Sequence, residues 1–265
     1  MNDAQEIALS KVPEITLTFW VIKILATTLG ETGGDAVTMS MHLGYAIGTV
    51  ILFGVFILAV AAQIPAKFFH PSLYWTTIVA TTTVGTTMAD FADRSLGIGY
   101  PGGSTILFLA LLASLGVWRW SEGSVSVNTV ATPRVEVFYW MTILFSQTLG
   151  TALGDWMAGS DRGGLGLGYE AGALVFGVGL ALVTAAYFFT NISRVLLFWI
   201  AFILTRPLGA TLGDLLDKPL VNGGLAISRF YASAILAVLI VALLVLLPQK
   251  PGAHPGARLR IRTKP

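Results

Sequence analysis

Four aspartates at the end of a repeated motif are the groups in this chain best suited to chemistry. The strings TLGETGGD (28–35), TVGTTMAD (83–90), TLGTALGD (148–155) and PLGATLGD (207–214) align without gaps. Each string ends on an aspartate: Asp35, Asp90, Asp155 and Asp214. Carboxylates within apolar segments usually mark ion or proton pathways. The motif therefore predicts a cation site built from four similar copies.

Further oxygen-bearing side chains accompany the aspartates at helical spacing. Glu31 precedes Asp35 by four residues, one helical turn away. Threonines stand three or seven residues before the aspartates, on the same helical face: Thr28, Thr32, Thr83, Thr87, Thr148 and Thr211. An all-oxygen set suits a hard cation such as Mg²⁺, Mn²⁺, Ca²⁺ or Na⁺. We therefore predict Glu31 and the four aspartates as metal ligands, and the threonines as gating or substrate-contacting groups.

The fourth copy carries an arginine, Arg206, where the other copies have threonine or glutamine. It stands eight residues before Asp214, near the middle of an apolar segment. A charge at that depth is costly unless it finds a partner or lines water, and Glu31 is a candidate partner. Three interpretations stay open: a buried structural ion pair, a gate that competes with a cation for the carboxylates, or an anion-binding arginine.

Local ion pairs offer a structural interpretation of the aspartates. Arg94 follows Asp90, and Lys218 follows Asp214, by four residues, a spacing that allows pairing on a helix. Asp155 has Arg162 only seven residues away, and Asp35 has no base nearby. Pairing of this kind explains two copies well and two poorly.

The composition places these groups in a membrane protein. The 265 residues are 55% hydrophobic and 11% charged, with a mean hydropathy of +0.77, whereas soluble domains average about 25% charged residues. The expected partner is the lipid bilayer, and nucleic acid is excluded. The chain has no cysteine, and it shows no Ser-His-Asp, HExxH or CxxC arrangement. We therefore expect neither an enzyme nor a cofactor.

The motif belongs to a larger unit of two apolar segments joined by a glycine-rich turn. Four units, at about 11–70, 71–132, 133–192 and 193–248, predict an all-α integral membrane protein with eight transmembrane helices in four parallel two-helix repeats. Small residues four apart within each motif let helices approach closely, so the first helices should form an inner cluster. Residues 1–10 are predicted as a cytoplasmic N-terminal segment and residues 249–265 as a basic, disordered cytoplasmic tail.

A tryptophan stands fifteen residues before each aspartate: Trp20, Trp75, Trp140 and Trp199. Fifteen residues of helix span about 22 Å, so the tryptophans are predicted to form a belt at one membrane interface, with the aspartates near the other. Lys23, close to Trp20, is expected to reach the tryptophan-side interface. Ten Lys and Arg residues lie on the side of the termini and four on the side of the aspartates. This asymmetry predicts cytoplasmic termini.

The first repeat, KVPEITLTFWVIKILATTLGETGGD, and its three degenerate copies resemble a bacterial family of uncharacterised membrane-anchored proteins built from a repeat of unknown function. The resemblance covers about residues 11–248 and implies a bacterial inner-membrane location. The segment ETGGD (31–35) also resembles the E-x-G-D motif of cation exchangers related to Golgi manganese/calcium transporters, without the basic and hydroxyl residues that follow there.

The leading hypothesis from the sequence is a transporter or channel for a hard divalent or proton-coupled cation. Two rivals stay open: a non-transport assembly or stress factor with structural aspartates, and an anion or small-solute carrier that uses Arg206. The oligomeric state is open.

Overall fold

The computed structural model describes residues 10–252, which fold into eight α-helices and contain no strand within that range. The helices are α1 (Leu17–Asp35), α2 (Gly44–Gln63), α3 (Pro71–Asp90), α4 (Tyr100–Glu122), α5 (Pro133–Ala158), α6 (Gly168–Phe189), α7 (Arg194–Asp217) and α8 (Arg229–Leu246). Short π-helical turns, Ala36–Ser40 and Phe91–Ser95, continue α1 and α3. The all-α prediction and the two helices of each repeat are confirmed.

The odd-numbered helices form a closed inner ring. Helix α1 packs against α3, α3 against α5, α5 against α7, and α7 back against α1. Each even-numbered helix lies outside the ring on the inner helix of the next repeat: α2 on α3, α4 on α5, α6 on α7, and α8 on α1. The repeats therefore follow one another around a pseudo-fourfold axis, and the last repeat closes on the first.

The glycines of the motif set the spacing of the ring. The first glycine of each motif lies directly against a side chain on the next inner helix, and a Cβ there would collide with it or need that neighbour to shift. The four contacts are Gly30 with Thr82, Gly85 with Gln147, Gly150 with Arg206, and Gly209 with Thr27. Close approach of backbones through small residues is the usual way in which helices pack in lipid. The predicted inner cluster is confirmed.

The outer surface of the bundle is compatible with lipid. Five helices, α2, α4, α6, α7 and α8, are long and apolar enough to cross a membrane. The outer helices expose large apolar side chains such as Leu58, Leu182 and Val238. Polar and charged side chains are instead concentrated in the inner ring, where the neighbouring helices cover them.

The two ends of the described chain meet on one side of the bundle. Pro13 and Pro251 form an isolated antiparallel bridge, and the Gly252 amide donates to the Val12 carbonyl at 2.9 Å. Lys11 forms an ion pair with Glu136 at the start of α5. The predicted N-terminal segment and basic tail fall mainly on residues 1–9 and 253–265, outside the described residues.

The repeated tryptophans lie inside the bundle. Trp75, Trp140 and Trp199 are buried, and Trp20 is half-buried. They join other rings in a layer across the end of the inner helices opposite the aspartates; the Tyr74 and Tyr139 hydroxyls, for instance, are 2.6 Å apart. The predicted interfacial belt is wrong for the three buried tryptophans, because the rings pack on one another instead of facing lipid.

Candidate functional site

The four motif aspartates are buried together at one end of the inner ring, in two bridged pairs. Lys218 forms an ion pair with Asp35 and lies 3.0 Å from Asp214 Oδ1. Arg94 pairs in the same way with Asp90 and, at 3.2 Å through Nη2, with Asp155. Each base therefore joins its own aspartate to the aspartate of the next repeat.

This arrangement confirms two local ion pairs and corrects the expectation for Asp35. The pairs of Asp90 with Arg94 and Asp214 with Lys218 are confirmed. The expectation that Asp35 has no base is wrong, because ring closure brings Lys218 to it and places Arg229 Nε 3.7 Å from its Oδ2.

Asp155 likewise takes its partner from another repeat. Arg162, the only base near it in sequence, pairs with the exposed Asp161 instead. Arg94 therefore supplies the charge that neutralises Asp155. Spacing along a single helix could not reveal either of these cross-repeat pairs.

The bridging bases occur only in the second and fourth repeats. Met39 and Gly159 stand at the equivalent position of the first and third repeats, four residues after the aspartate. The pseudo-fourfold ring therefore has a twofold pattern of charge, because each half of the chain supplies one bridging base.

Arg206 links the inner helices to one another. The side chain is 0% exposed, and its Nη2 donates to Glu31 Oε2 at 3.0 Å and to Thr86 Oγ1 at 2.6 Å, as well as to the Thr151 hydroxyl. The guanidinium of α7 therefore contacts α1, α3 and α5 at once. The predicted partnership of Arg206 with Glu31 is confirmed.

Three of the predicted ligands converge closely enough to share one ion. Glu31, Asp35 and Asp214 each offer a carboxylate oxygen, and these oxygens lie within 4.8 Å of one another. Oxygen ligands of this kind fit a hard cation. The same carboxylates are paired with Arg206 and Lys218, so a bound cation would compete with two tethered basic groups.

Acidic groups outnumber basic ones around this site. Two further buried carboxylates, Asp93 and Asp217, lie at the same end of the ring. The buried acids are Glu31, Asp35, Asp90, Asp93, Asp155, Asp214 and Asp217, and the bases that form ion pairs with them are Arg94, Arg206, Lys218 and Arg229. The described site therefore has three carboxylates in excess. The sequence motif did not single out Asp93, Asp217 or Arg229.

The six threonines predicted to join the site direct their hydroxyls elsewhere. Thr28, Thr83, Thr87, Thr148 and Thr211 donate to backbone carbonyls of their own helices. Thr32 shares a 2.8 Å hydrogen bond with Ser233 on α8. Thr86 and Thr151, one turn before their aspartates, instead contact Arg206 in the charged network.

Lys23 does not reach an interface. The side chain is 0% exposed, and its Nζ lies 4.1 Å from the centroid of the Phe202 ring on α7. The expectation of a snorkelling lysine is wrong, because the side chain turns into the ring between α1 and α7.

Ionisation of the buried Asp93 is expected to make the stability of the fold depend on pH. It lies in the π-helical turn between α3 and α4, and neither carboxylate oxygen has a hydrogen-bond partner. Burial and, to a smaller extent, the negative charge of Asp155 raise the pKa of Asp93 to about 7, although Arg94 and Arg162 oppose the shift. The pKa in the unfolded chain is about 3.9.

The folded state therefore retains this proton when the unfolded state has lost it, and stability falls as the pH rises from about 4 to about 7. We expect Asp93→Asn to melt at a higher temperature than the wild-type protein at pH 8, with little difference near pH 4. Thermal melting of purified protein measures this, with the exposed Asp161→Asn as control. If Asp93→Asn changes the melting temperature equally at both pH values, the assignment of this pH dependence to Asp93 is wrong.

The fold and the site define an all-helical, membrane-compatible protein made of four repeats around a buried acidic cluster. The chain belongs to the family described as Repeat of Unknown Function (DUF347), whose model matches residues 18–67, 73–124, 138–193 and 197–247. Each match covers one two-helix unit, which confirms the fourfold repeat. No curated protein and no solved structure gives a significant match to the chain.

Proposed function

We propose that this protein is a multi-spanning membrane transporter or channel for an inorganic cation, either a hard divalent metal ion or an ion coupled to protons. All eight helices cross the bilayer in this proposal, with both termini in the cytoplasm of a bacterial cell and the aspartates facing outward. The three less apolar helices, α1, α3 and α5, insert as members of the inner ring.

The observation that carries the proposal is the excess of three buried carboxylates over basic groups. Uncompensated charge in a low-dielectric interior is unfavourable, so such groups are neutralised by protons or by a bound cation. Glu31, Asp35 and Asp214 supply oxygens close enough for one ion. Their arrangement supports a hard cation over a thiophilic metal.

The two tethered bases suggest how an ion could be released. Lys218 already contacts Asp35 and Asp214, and Arg206 contacts Glu31. A cation that enters would displace these bases from the carboxylates, and their return would favour its departure. Such competition keeps binding reversible, as conduction requires.

The experiment uses purified protein in liposomes with an imposed pH gradient. Uptake of Mg²⁺, Mn²⁺, Ca²⁺ and Na⁺ is measured separately, with protein-free liposomes as control. We expect saturable uptake of at least one of these cations. If none is taken up in either direction of the gradient, the transport proposal is wrong.

Topology gives a separate prediction. Because each repeat contributes two spans, reporter fusions after Gln249 and within 95–103 should report opposite sides of the membrane. The measurement is the activity of paired reporters that work only in the cytoplasm or only outside it. If both fusions report the same side, the prediction that each repeat crosses the membrane twice is wrong.

A non-transport role is the second candidate, and a specific observation favours it. Each motif aspartate has a basic partner, so the network could serve only to hold the ring together. A carrier that uses Arg206 for anions has less support, because the guanidinium is bound by Glu31. The Asp35 substitution discussed below separates the first two candidates.

A further inference from the structure

Arg229 is a base held between two buried carboxylates where the last repeat closes on the first. It is the first residue of α8, and its Nε donates to Oδ2 of Asp217, the last residue of α7, at 3.1 Å. The same Nε lies 3.7 Å from Oδ2 of Asp35, which is longer than a hydrogen bond. Nη1 lies 3.5 Å from the Ser40 hydroxyl in the π-helical turn after α1. Arg229 is therefore bound to Asp217 and lies close to Asp35 without a hydrogen bond to it.

Arg229 is also the most accessible charged group of this part of the cluster. Its side chain is 21% exposed, compared with 10% for Lys218 and 0% for Asp35 and Asp217. A cation that approaches Asp35 from solvent on this side therefore meets the guanidinium before it meets the carboxylate.

The second repeat has no equivalent of this base in the described chain. Asp93 stands three residues after the motif aspartate of the second repeat, as Asp217 does in the fourth. Both carboxylate oxygens of Asp93 lack a hydrogen-bond partner, whereas Asp217 holds Arg229. The additional base is therefore placed beside the three carboxylates that can share one ion.

We propose that Arg229 sets the affinity of this site for a divalent cation and that Asp217 holds the guanidinium away from Asp35, an assignment that rests on the cation site of the proposed function. Asp35 Oδ1 is buried and has no hydrogen-bond partner, so this carboxylate keeps one oxygen free for a ligand. A positive charge repels an incoming cation more strongly as the distance between them shortens. By binding Arg229, Asp217 limits its competition with the cation at Asp35.

The tethered bases favour a divalent over a monovalent cation. Lys218 and Arg206 each place a single positive charge on the three carboxylates. Coulomb attraction is proportional to charge, so a divalent ion competes better with these bases than a monovalent one. Mn²⁺ is a suitable probe, because carboxylate oxygens bind it and its paramagnetic signal reports the concentration of free ion.

The test measures the Kd for Mn²⁺ of the purified full-length protein in detergent, from the paramagnetic signal of the unbound ion. Arg229→Gln should lower the Kd by at least about threefold, because it removes a positive charge next to Asp35. Arg229→Lys keeps that charge and should retain the wild-type Kd. Arg134→Gln, at an exposed position at the other end of the bundle, is the matched control and should also leave the Kd unchanged.

A double variant tests the part played by Asp217. Asp217→Asn should raise the Kd by at least about threefold, because the released guanidinium can turn to Asp35. The same substitution should have a smaller effect in the Arg229→Gln background, where no guanidinium is present. Equal effects in the two backgrounds would overturn the role of Asp217.

Two results would overturn the role of Arg229. One is the absence of saturable Mn²⁺ binding to the wild-type protein, and the other is a wild-type Kd in an Arg229→Gln variant whose melting temperature shows that it is folded. Uptake is measured separately in liposomes. If the expected changes in Kd are found and no cation is taken up, the transport proposal alone is wrong.

Discussion

Asp35→Asn should reduce cation uptake by more than about tenfold while the protein stays folded, which corresponds to at least about 1.4 kcal/mol of lost binding free energy. Asp35 belongs to the three carboxylates that can share one ion. The amide keeps the shape of the side chain but removes the charge that a hard cation requires. Lys218 retains Asp214 as a partner, so the variant does not leave an isolated buried base.

The measurement is initial uptake in liposomes at matched protein content, together with the melting temperature. Asp161→Asn serves as the control, because Asp161 is exposed and its side chain contacts only Arg162 and the Tyr100 hydroxyl among the described residues, away from the buried cluster. We expect Glu31→Gln to weaken uptake similarly and Asp90→Asn to have a milder effect, because Asp90 lies outside the group of three. Unchanged uptake by a folded Asp35→Asn variant would favour the structural role.

Gly209→Leu should prevent formation of the folded bundle. A Cβ at this position collides with the Thr27 side chain, and a leucine would separate α7 from α1 where the ring closes. Overpacking in a well-packed interior costs typically about 1–3 kcal/mol, and forced separation of backbones costs more. The yield of monodisperse protein and its melting temperature measure the loss.

Gly177→Leu is the matched control for this variant. Gly177 lies on α6 with no side chain or other backbone close to the position of a Cβ, so leucine should be tolerated there. Gly150→Leu, which collides with Arg206, should behave like Gly209→Leu. Equal yields and melting temperatures for Gly209→Leu and Gly177→Leu would contradict the role of the motif glycines.

The helices and the ring were predictable because four copies of one unit repeat the same signals. The first helix of each predicted repeat is one of the inner helices α1, α3, α5 and α7, as the repeat pattern indicated. The link between Arg206 and Glu31 was also predictable. Both are charged residues placed by the motif at similar depth, and each needs a partner.

The remaining contacts depend on ring closure and could not be read from local spacing. Lys218 is 183 residues from Asp35, yet the last repeat brings them together. The prediction that Lys23 reaches the interface requires α1 to face lipid near this residue. The neighbouring helix α7 instead covers that face and directs the amine toward Phe202.

The packing of α8 on α1 also has a consequence for biogenesis. During synthesis α1 emerges first, but two of its three main packing partners, α7 and α8, belong to the last repeat. In the proposed membrane topology, Glu31 lacks Arg206 and Asp35 lacks Lys218 until that repeat inserts. The nascent chain must therefore keep these carboxylates protonated, hydrated or shielded by the insertion machinery, and a chain truncated before the fourth repeat is expected to be a substrate for membrane quality control.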